Sequence, residues 1–546
     1  MKSQKSKNIF TSIRPGSRLA DGTAHQEDHE AWSRRSFLKN VGLAGGMSML
    51  LGNLPLATAI ASPLSMALTT AVNDRVLVLI RLKGGNDGLN TLVPLYDYGT
   101  YRNARPNLGL KENEITKLTD AIGIPKTLDP LTPFWKEGKM KVIHNVGYPE
   151  QNLSHFRSSD IWASTSDATT FDSSGWYGRY IADEFPDFLG NPPEIPPAIQ
   201  IGGAANGAFN DATMTNLAIS VRNPEEIAEI AETGELFPIA NLPDCYYGAQ
   251  VGFVRSVANN TFFYAGVLSE AYKAGANTVE YSSDLGTQLA TVARLIKGNL
   301  GTKLYMVTID GFDTHSNQIT NHPLLMRELA TAISDFYQDL NAGEKDKEVL
   351  TMTISEFGRR IEENGSNGTD HGAAAPMMLF GAGLNGSGFI GDLPDLNNVD
   401  EVGNLNFSTD FRSVYASVLE HWLCIDSTKV DSIMGQSFNR LNSLGLQCSD
   451  QTTAIEDLFQ SALKHEARYA SDGTIQIHYQ LKEGNLVQLQ VFNILGQPIA
   501  TLVNTYQSAG AYQAVFQRQR RYLPRGQYVY RLQVGAKVFS KPFILK

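Results

Sequence analysis

The chain is poor in the residues that build disulfide frameworks, cysteine metal sites and surfaces for polyanions. It has three cysteines in 546 residues, Cys245, Cys424 and Cys448, and none stands in a CxxC pair. The odd number leaves one cysteine unpaired if a bridge forms, and Cys424 with Cys448 is the first pair to test. The formal net charge of −10 provides no cationic field, so nucleic acid is not an expected partner.

Nucleotide-binding signals are also missing. No GxxxxGK[ST] loop is present, so the sequence does not support a P-loop nucleoside triphosphatase. The segment Gly381 to Gly386 matches GxGxxG after an apolar run, but Gly388, Gly391 and Pro394 interrupt the helix that a dinucleotide fold needs at this point. Haem and iron–sulfur motifs are absent as well, which leaves an electron-transfer role without support.

The composition is that of a globular, loop-rich protein. Hydrophobic residues make up 42% and charged residues 19%, and the chain contains 48 glycines and 23 prolines. Its length favours one large catalytic domain with appendages over a single compact unit.

The first 61 residues are predicted to be a leader and an export signal. Residues 1–32 are polar, and Ser33 to Lys39 (SRRSFLK) precede the mildly apolar run from Val41 to Ala61. This arrangement resembles a twin-arginine signal peptide. A membrane anchor is the alternative, but the run contains four glycines and a proline and is only marginally long enough to span a bilayer.

The strongest functional signal follows the apolar run from Leu304. Asp310, Asp313 and His315 lie within six residues where this strand-like run stops. In a parallel sheet the strands form the core, while their carboxyl ends open into the ligand-binding crevice. Carboxylate and imidazole ligands together suit a divalent cation. The pattern alone predicts a metal site built from Asp310, Asp313 and His315, and the family resemblance given below then favours Asp313 and His315 as ligands, with Asp310 in a supporting role.

A second candidate ligand follows the first predicted strand, Arg75 to Leu82. Glycines flank Asp87 in the segment Gly84 to Gly88, and they allow a tight turn that would place Asp87 at the end of that strand. An ordinary Asn-Asp-Gly surface turn is the alternative.

Two further candidates lie at a predicted helix start. Ser154 is placed where a helix can begin, and it is a candidate metal-activated nucleophile, with His155 as the neighbouring group that shuttles its proton. The alternative is that Ser154 is a helix cap without a catalytic role. His144, in the middle of a predicted strand, is assigned to the core.

The crossover from residue 304 to residue 354 predicts a parallel sheet. An amphipathic helix over residues 325–340 separates the two strands. The second strand leads to Glu356 and Arg359, and a Gly/Asn-rich loop then leads to Asp370 and His371. Arg359 is expected to bind an oxyanion and Glu356 to support the site, with a surface ion pair as the alternative.

The C-terminal part is predicted to be a polar helical connector, residues 446–470, and a small β-sandwich, residues 471–546. Short alternating runs separated by turn residues lead to the second assignment. The segments VFNILGQPIATLV, SAGAY and LPRGQYVYRL, with a terminal ILK, resemble the sorting domain of type IX secretion.

Residues 75–445 resemble the domain-of-unknown-function family 1501 (DUF1501), which is grouped with the alkaline phosphatase and sulfatase superfamily. The motifs occur in order: GGNDGLNTLVP (residues 84–94), NLSHF (152–156), GWYGRY (175–180), GFDTHSNQ (311–318), ISEFGR (354–359), GTDHG (368–372) and DFRSVYASVLEHWL (410–423). The resemblance implies an α/β fold with a doubly wound, mainly parallel sheet of alkaline phosphatase-like type.

The resemblance also implies a set of functional residues. The metal ligands are Asp87, Asp313, His315, Asp370 and His371, and the catalytic residues are Ser154, His155 and Arg359. In the superfamily three residues commonly separate the Asp/His ligand pair, whereas one residue separates Asp313 from His315. A one-metal site, or a site that binds without turnover, therefore stays open.

Together these features predict an exported hydrolase that uses zinc, manganese, magnesium or calcium to cleave phosphate or sulfate esters. The expected partners are a small-molecule or glycan ester and the twin-arginine and type IX export machineries, with no stable transmembrane span in the mature protein. The expected location is the cell surface or medium, with the periplasm as the alternative. The competing function is a non-catalytic surface protein that binds sulfated or phosphorylated glycans.

Overall fold

The structure is a computed structural model that describes residues 74–448 and 465–545 with internal gaps. The gaps are residues 187, 189–191, 203–204, 223–226, 228–229, 232–236, 238–245, 470–473, 482–483, 494–497, 517–525 and 535–536. The predicted signal, residues 1–61, and Cys245 lie outside the described residues. The chain divides into two compact units, and the division falls between Gln447 and Cys448.

The first unit is built on alternating strands and helices. Its strands are β1 (Val76–Lys83), β2 (Val93–Pro94), β3 (Ile115–Lys117), β4 (Ile122–Pro125), β5 (Met140–Gly147), β6 (Ala198–Ile201), β7 (Ile219–Val221), β8 (Leu304–Asp310), β9 (Val349–Ile354), β10 (Gly358–Arg359), β11 (His371–Gly372), β12 (Ala375–Phe380), β13 (Gly388–Ile390) and β14 (Thr409–Asp410). Its α-helices are α1 (Gly88–Thr91), α2 (Tyr98–Ala104), α3 (Thr132–Lys136), α4 (His155–Ser164), α5 (Trp176–Glu184), α6 (Tyr246–Ala274), α7 (Asp284–Lys297), α8 (Gln318–Ala342), α9 (Phe411–His421) and α10 (Ser427–Met434).

A mixed, mainly parallel sheet forms the centre of this unit. Its order is β13-β5-β12-β9-β1-β8-β6-β7, and β14 pairs with β5. Strand β1 is parallel to both neighbours, β8 and β9, while β12 runs antiparallel to β9 and β5. The predicted crossover from β8 through α8 to β9 is confirmed, and β1 lies between the two strands that it joins.

Helices cover both faces of the sheet, which confirms the doubly wound prediction. Val78 and Ile80 of β1 belong to one core cluster, whose helical residues include Leu289 of α7. Leu77 and Leu79 belong to the opposite cluster, which includes residues of α4 and α9. Successive side chains of a strand point to opposite faces, so this nearly continuous apolar strand serves two cores.

His144 is a core residue, as predicted. Its ring stacks on Phe389 with the centroids 4.9 Å apart, and burial lowers the pKa of this histidine to about 4. Among the helices within the described residues, none has the length and hydropathy needed to cross a membrane. Cys424 and Cys448, the pair favoured by the sequence, are both disulfide-bonded.

The second unit consists of antiparallel strands. They are β15 (His465–Tyr469), β16 (Ile475–Leu481), β17 (Asn485–Asn493), β18 (Pro498–Gln507), β19 (Gly510–Phe516), β20 (Gly526–Val534) and β21 (Lys537–Leu545). They form the sheets β15-β16-β19 and β18-β17-β20-β21, which share one apolar core. The prediction of C-terminal antiparallel strands is confirmed. The predicted connector helix, residues 446–470, is wrong at its C-terminal end, because His465–Tyr469 form a strand that pairs with β16. Residues 449–464 of this segment lie outside the described residues.

A buried carboxylate on α8 joins this helix to α7. Asp339 accepts hydrogen bonds from Lys297 at 2.5 Å, from the Asn277 amide at 2.8 Å and from the Thr278 hydroxyl at 2.7 Å. Its side chain is fully buried, and that of Lys297 is 8% exposed. Burial by itself would raise the pKa of Asp339, but the hydrogen bonds from Lys297, Asn277 and Thr278 outweigh it and lower the pKa to about 2.

We expect Asp339→Asn to lower the free energy of unfolding by about 3 kcal/mol at pH 7, because it leaves the Lys297 ammonium buried without its partner. The folded pKa lies below the ordinary 3.8, so the wild-type advantage is present above that value and is lost as the pH falls toward about 2. Denaturant unfolding across this range measures it. Asp335→Asn on the same helix is the control, because burial raises the pKa of Asp335, the opposite direction to Asp339. An equal loss of unfolding free energy in both variants would contradict the role of Asp339.

Candidate metal centre

Three adjacent parallel strands end at one edge of the sheet and deliver the first part of the site. After β8 the chain continues to Asp313, after β9 it continues to Glu356, and after the central strand β1 it turns at Gly84. Gly84 donates its backbone N–H to Glu356 at 2.8 Å. A Cβ at Gly84 would lie 2.2 Å from the Asp313 backbone nitrogen, and the residue has a φ of +122°, so only glycine fits this approach.

A loop and a short hairpin deliver the second part. Strands β10 and β11 pair so that Arg359 lies opposite His371. Thr369 donates its backbone N–H to the carbonyl of Thr314 at 3.1 Å, and the Asn364 amide donates to the carbonyl of His315 at 3.0 Å. These contacts hold the segment that carries Asp370 and His371 against the segment after β8.

The imidazoles of His155, His315 and His371 surround the carboxylate of Asp313. Their Nε2 atoms lie 3.4, 3.3 and 3.4 Å, respectively, from an Asp313 carboxylate oxygen. His155, Asp313 and His371 each offer a ligand atom within 4.8 Å of the others, which is close enough for one cation to contact all three. The Nε2 atoms of His315 and His371 are 2.9 Å apart.

Each of these imidazoles also has an acceptor at its other nitrogen. The Nδ1 atom of His155 lies 3.1 Å from Glu356, that of His315 lies 3.2 Å from Asp370, and that of His371 lies 2.8 Å from the carbonyl oxygen of Leu153. Each of these partners is an acceptor, and a ring that donates to it from Nδ1 keeps a lone pair on Nε2. Metal-binding histidines are oriented in this way in proteins.

The donor set therefore fits a divalent metal. Three imidazole Nε2 atoms and a carboxylate face one another, and the Nε2 atoms of His315 and His371 are in close contact. Burial lowers the pKa of His371, which keeps that ring neutral. Partial burial raises the pKa of Asp313, but the hydrogen bond and charge of Arg359 outweigh this effect and lower it overall. Neutral imidazoles and an ionised carboxylate are the forms that bind metal.

Arg359, predicted from the sequence to bind an oxyanion, is buried and engaged by groups of the protein itself. Its guanidinium is 0% exposed and donates to the carbonyls of Gly85, Thr369, Gly84 and Phe312. It also donates to an Asp313 carboxylate oxygen at 2.7 Å. The arginine thus fixes the turns at the strand ends and orients Asp313, because its planar fork matches several acceptors at once.

Asp87, which the sequence suggested as a ligand, lies in a buried ion pair. Its carboxylate accepts from Arg105 at 2.6 Å, and both side chains are 0% exposed. It also accepts from Gln318 and caps helix α1 through the backbone N–H groups of Leu89 and Asn90. Burial by itself raises the pKa of Asp87, and the charge of Arg105 lowers it below the usual value. Through these contacts the Asp87 carboxylate stabilises the turn after β1.

We expect Asp87→Asn to lower the free energy of unfolding by about 3–5 kcal/mol, because a buried arginine loses its charged partner. Metal bound per folded chain should stay unchanged. Urea unfolding and elemental analysis measure the two effects. Asp310→Asn is the control. Asp310 pairs with Lys83 at the surface, where the side chains of Asp310 and Lys83 are 67% and 49% exposed. We expect this variant to change the free energy of unfolding by under about 1 kcal/mol. Metal loss in the folded Asp87 variant would restore Asp87 as a ligand.

The remaining predicted residues differ in their surroundings. Ser154 is exposed at the N-terminus of α4, and its side chain makes no capping hydrogen bond. Asp370 lies behind His315, and the hydrogen bonds from Asn364 and His315 lower its pKa. Asp310 and its partner Lys83 take no part in the group around Asp313. His155, predicted as a proton shuttle, belongs to the metal group.

Two residues that contact the candidate metal centre, Leu153 and Asn364, were not predicted from the sequence. The Leu153 carbonyl orients His371, and any residue type could supply it, so the sequence carries no signal for this contact. Asn364 bonds both to the His315 carbonyl and to Asp370, at 3.2 Å. Its place in a Gly/Asn-rich loop directly before the Asp-His pair was the available signal.

Three of the solved structures that are similar to the chain are an alkaline phosphatase, a protein of the alkaline phosphatase superfamily and a lipoteichoic acid synthase. The alkaline phosphatase of the Antarctic bacterium TAB5 is 10% identical, with 58% of this chain and 95% of that chain covered and a TM-score of 0.26. A protein of the alkaline phosphatase superfamily from Vibrio parahaemolyticus is 8% identical, with 83% and 85% covered and a TM-score of 0.28. The lipoteichoic acid synthase LtaP from Listeria monocytogenes is 8% identical, with 77% and 88% covered and a TM-score of 0.26. These values are too low to assign a residue role or a substrate.

A comparison with curated proteins finds no match. The family described as "Protein of unknown function (DUF1501)" matches residues 269–423, a shorter segment than the resemblance over residues 75–445. The matched segment contains Asp313, His315 and His371, while His155 lies before it. Most side chains of the candidate metal centre therefore lie in the segment that matches this family model.

Proposed function

We propose that the protein is a metal-dependent hydrolase that acts on phosphate or sulfate esters. The observation that carries the proposal is the convergence of three imidazole Nε2 atoms on the Asp313 carboxylate, with an acceptor behind every ring. His155, Asp313 and His371 are the proposed core ligands, and His315 is a fourth donor. A set rich in imidazole favours zinc or manganese over magnesium or calcium, which prefer oxygen ligands.

A divalent cation in this site would polarise an ester oxygen and lower the pKa of a bound water or hydroxyl. The protein contributes the orientation of its donors. Glu356 and Asp370 hold the Nδ1 protons of His155 and His315, and Arg359 fixes Asp313. These partners keep the Nε2 lone pairs directed at one point, which lowers the cost of reorganisation during the reaction.

Ser154 is the proposed nucleophile. It lies between two residues that contact the metal group: the carbonyl of Leu153 bonds to His371, and His155 is itself a core ligand. Its hydroxyl is exposed at the start of the ten-residue helix α4, and the backbone N–H groups of the first helical turn can bind an anion there. An ester oxyanion at this end of α4 would meet both the hydroxyl and the helix dipole.

The assay that tests the proposal uses purified full-length chain, stripped with a chelator and reloaded with zinc, manganese, magnesium or calcium. We expect turnover of an aryl phosphate or an aryl sulfate only in a reloaded sample, because the imidazole set needs the cation to act on the ester. Chelated protein is the matched control. If the protein binds stoichiometric metal but turns over neither ester class, the hydrolase proposal is contradicted.

A binding function without turnover is the second candidate, and two observations favour it. The Arg359 guanidinium is 0% exposed and is engaged by backbone carbonyls and Asp313, so it is not accessible to a developing oxyanion at the site. Phe156, next to His155, is 86% exposed and offers a flat apolar face on which a sugar ring can stack. Retention of a sulfated or phosphorylated glycan by a metal-loaded but inactive protein would support this candidate.

We also propose that the protein is exported, through the twin-arginine route and then type IX secretion. The support is the SRRSFLK segment before an apolar run and the C-terminal motifs, which resemble a sorting domain. Twin-arginine export carries folded proteins, and it is compatible with a metal that is inserted in the cytoplasm. The cell surface or medium is the proposed destination, with the periplasm as the alternative.

A further inference from the structure

The carboxyl edge of the sheet continues past the metal centre into a cavity of about 520 Å³. The metal group lies at the ends of β9, β1 and β8, and the cavity lies at the ends of β1, β8, β6 and β7. Its size falls within the range of ligand-binding clefts. In open α/β sheets, the crevice at the carboxyl ends of the strands is the usual binding place. The cavity and the metal group therefore lie at the same edge of the sheet.

Three cations line this cavity in a chain that is acidic overall. Arg81 and Lys83 come from the end of β1, and Arg222 follows β7 directly. Arg81 uses one guanidinium nitrogen to donate to Ser159 at 2.9 Å. Arg222 is exposed and has no hydrogen-bond or ion-pair partner within the described residues.

Two carboxylates also line the cavity, so its three cations exceed its anions by one. Asp310 pairs with Lys83 at 2.6 Å, and Asp284 accepts from the Gln288 amide at 3.1 Å. Lys83 is thus partly neutralised, while the guanidinium groups of Arg81 and Arg222 keep donors for a ligand. Arginine suits tetrahedral oxyanions because its N–H groups form paired hydrogen bonds with two oxygens. The chemistry of the cavity is that of a sulfate or phosphate subsite.

The cavity lies within reach of a substrate bound at the metal centre. Asp310 of the cavity and Asp313 of the metal group are three residues apart, so their Cα atoms are separated by at most about 11 Å. Two strand spacings separate the end of β8 from Arg222 at the end of β7, which is about 10 Å across the sheet. A short oligosaccharide can span these distances, whereas a simple monoester cannot.

We infer that the cavity of Arg81, Lys83 and Arg222 binds a second sulfate or phosphate group of the substrate. The substrate class is then an oligosaccharide or polyol with several anionic esters, one at the metal centre and another in the cavity. This inference rests on the proposed function for the role of the ligand as a substrate. The cavity itself binds the anion without the metal.

The test measures binding by the full-length chain with chelator present, using calorimetry. Persulfated maltotetraose is the sulfate probe, inositol hexakisphosphate is the phosphate probe, and plain maltotetraose is the uncharged control. We expect Arg222→Glu to weaken binding of at least one anionic probe about tenfold or more, and Arg81→Gln to weaken it in the same direction. The probe that loses more affinity identifies the preferred anion.

Lys347→Glu is the matched control, because Lys347 is an exposed cation just before β9, at the opposite end of the strands. It should change binding by less than about twofold, as expected for a distant, screened charge. Equal binding by wild type, Arg222→Glu and Arg81→Gln would overturn the inference, and so would an equal loss in Lys347→Glu. A melting curve like that of wild type shows that the exposed Arg222 variant is folded.

Aryl monoester turnover separates this inference from the proposed function. Arg222→Glu should hydrolyse a monoester at the wild-type rate, since the monoester does not reach the cavity. If no ester is turned over but probe binding still depends on Arg222, the subsite stands and the hydrolase proposal fails. If esters are turned over but probe binding ignores Arg222, the hydrolase proposal stands and the subsite fails.

Discussion

Asp313→Asn is expected to release the metal and to lower ester turnover by about a thousandfold or more, because metal-bound oxyanion stabilisation is lost. All three imidazole Nε2 atoms face the carboxylate of Asp313. Asparagine keeps an oxygen that can accept from Arg359, so the strand ends stay fixed. The amide lacks the charge that balances a divalent cation. Elemental analysis and initial rates on the same sample measure both effects.

Asp310→Asn is the matched control for this experiment. Asp310 ends the same strand three residues earlier, but its carboxylate pairs with Lys83 at the surface. We expect this variant to keep its metal and its monoester turnover within about twofold of wild type, since an exposed pair contributes little. If Asp313→Asn kept both metal and activity while remaining folded, the centre would have to lie elsewhere.

Ser154→Ala is expected to lower turnover by about a thousandfold or more while the protein keeps its metal, because the nucleophile is lost and the ligands remain. The capping alternative predicts a different result. Loss of a serine cap costs about 1 kcal/mol of stability and leaves turnover intact. The Ser154 side chain makes no capping hydrogen bond, so we expect no such stability loss. Rates, metal content and urea unfolding distinguish the two roles.

Two further variants control the serine experiment. Ser154→Thr keeps a hydroxyl and should retain part of the activity. Ser432→Ala removes the hydroxyl of an exposed serine on α10 and should behave like wild type. Full activity in Ser154→Ala would exclude a serine nucleophile and leave a water in that role.

The side chains of the candidate metal centre carried a clearer sequence signal than the groups that contact them. Asp313, His315 and His371 were recognisable because acids and histidines are concentrated directly after apolar strands. The role of Asp87 was not, because its partner Arg105 lies eighteen residues further on, in a segment without an evident pattern. Arg359 was expected in the crevice and is found there, but its guanidinium turns toward backbone carbonyls. Carbonyl positions depend on the fold, so side-chain patterns do not predict this contact.

The same distinction holds for the fold. Strands β1, β8 and β9 were predicted because their apolar runs serve two cores, and α8 was predicted from its apolar face. The antiparallel direction of β12 was not predicted, because strand pairing between β9 and β5 depends on contacts distant in sequence. The strand at His465–Tyr469 was taken as helix, because this short polar segment gains its strand conformation from pairing with β16.

The metal content of the purified full-length chain tests the central claim most directly. After dialysis against zinc and then against metal-free buffer, the wild-type protein should retain one ion per chain, bound through imidazole nitrogen in its X-ray absorption spectrum. His371→Ala should lose that ion, because it removes a core ligand. A wild-type protein that retains no metal, or a His371→Ala variant that retains it with an unchanged spectrum, would contradict the assignment of His155, Asp313 and His371 as the metal centre.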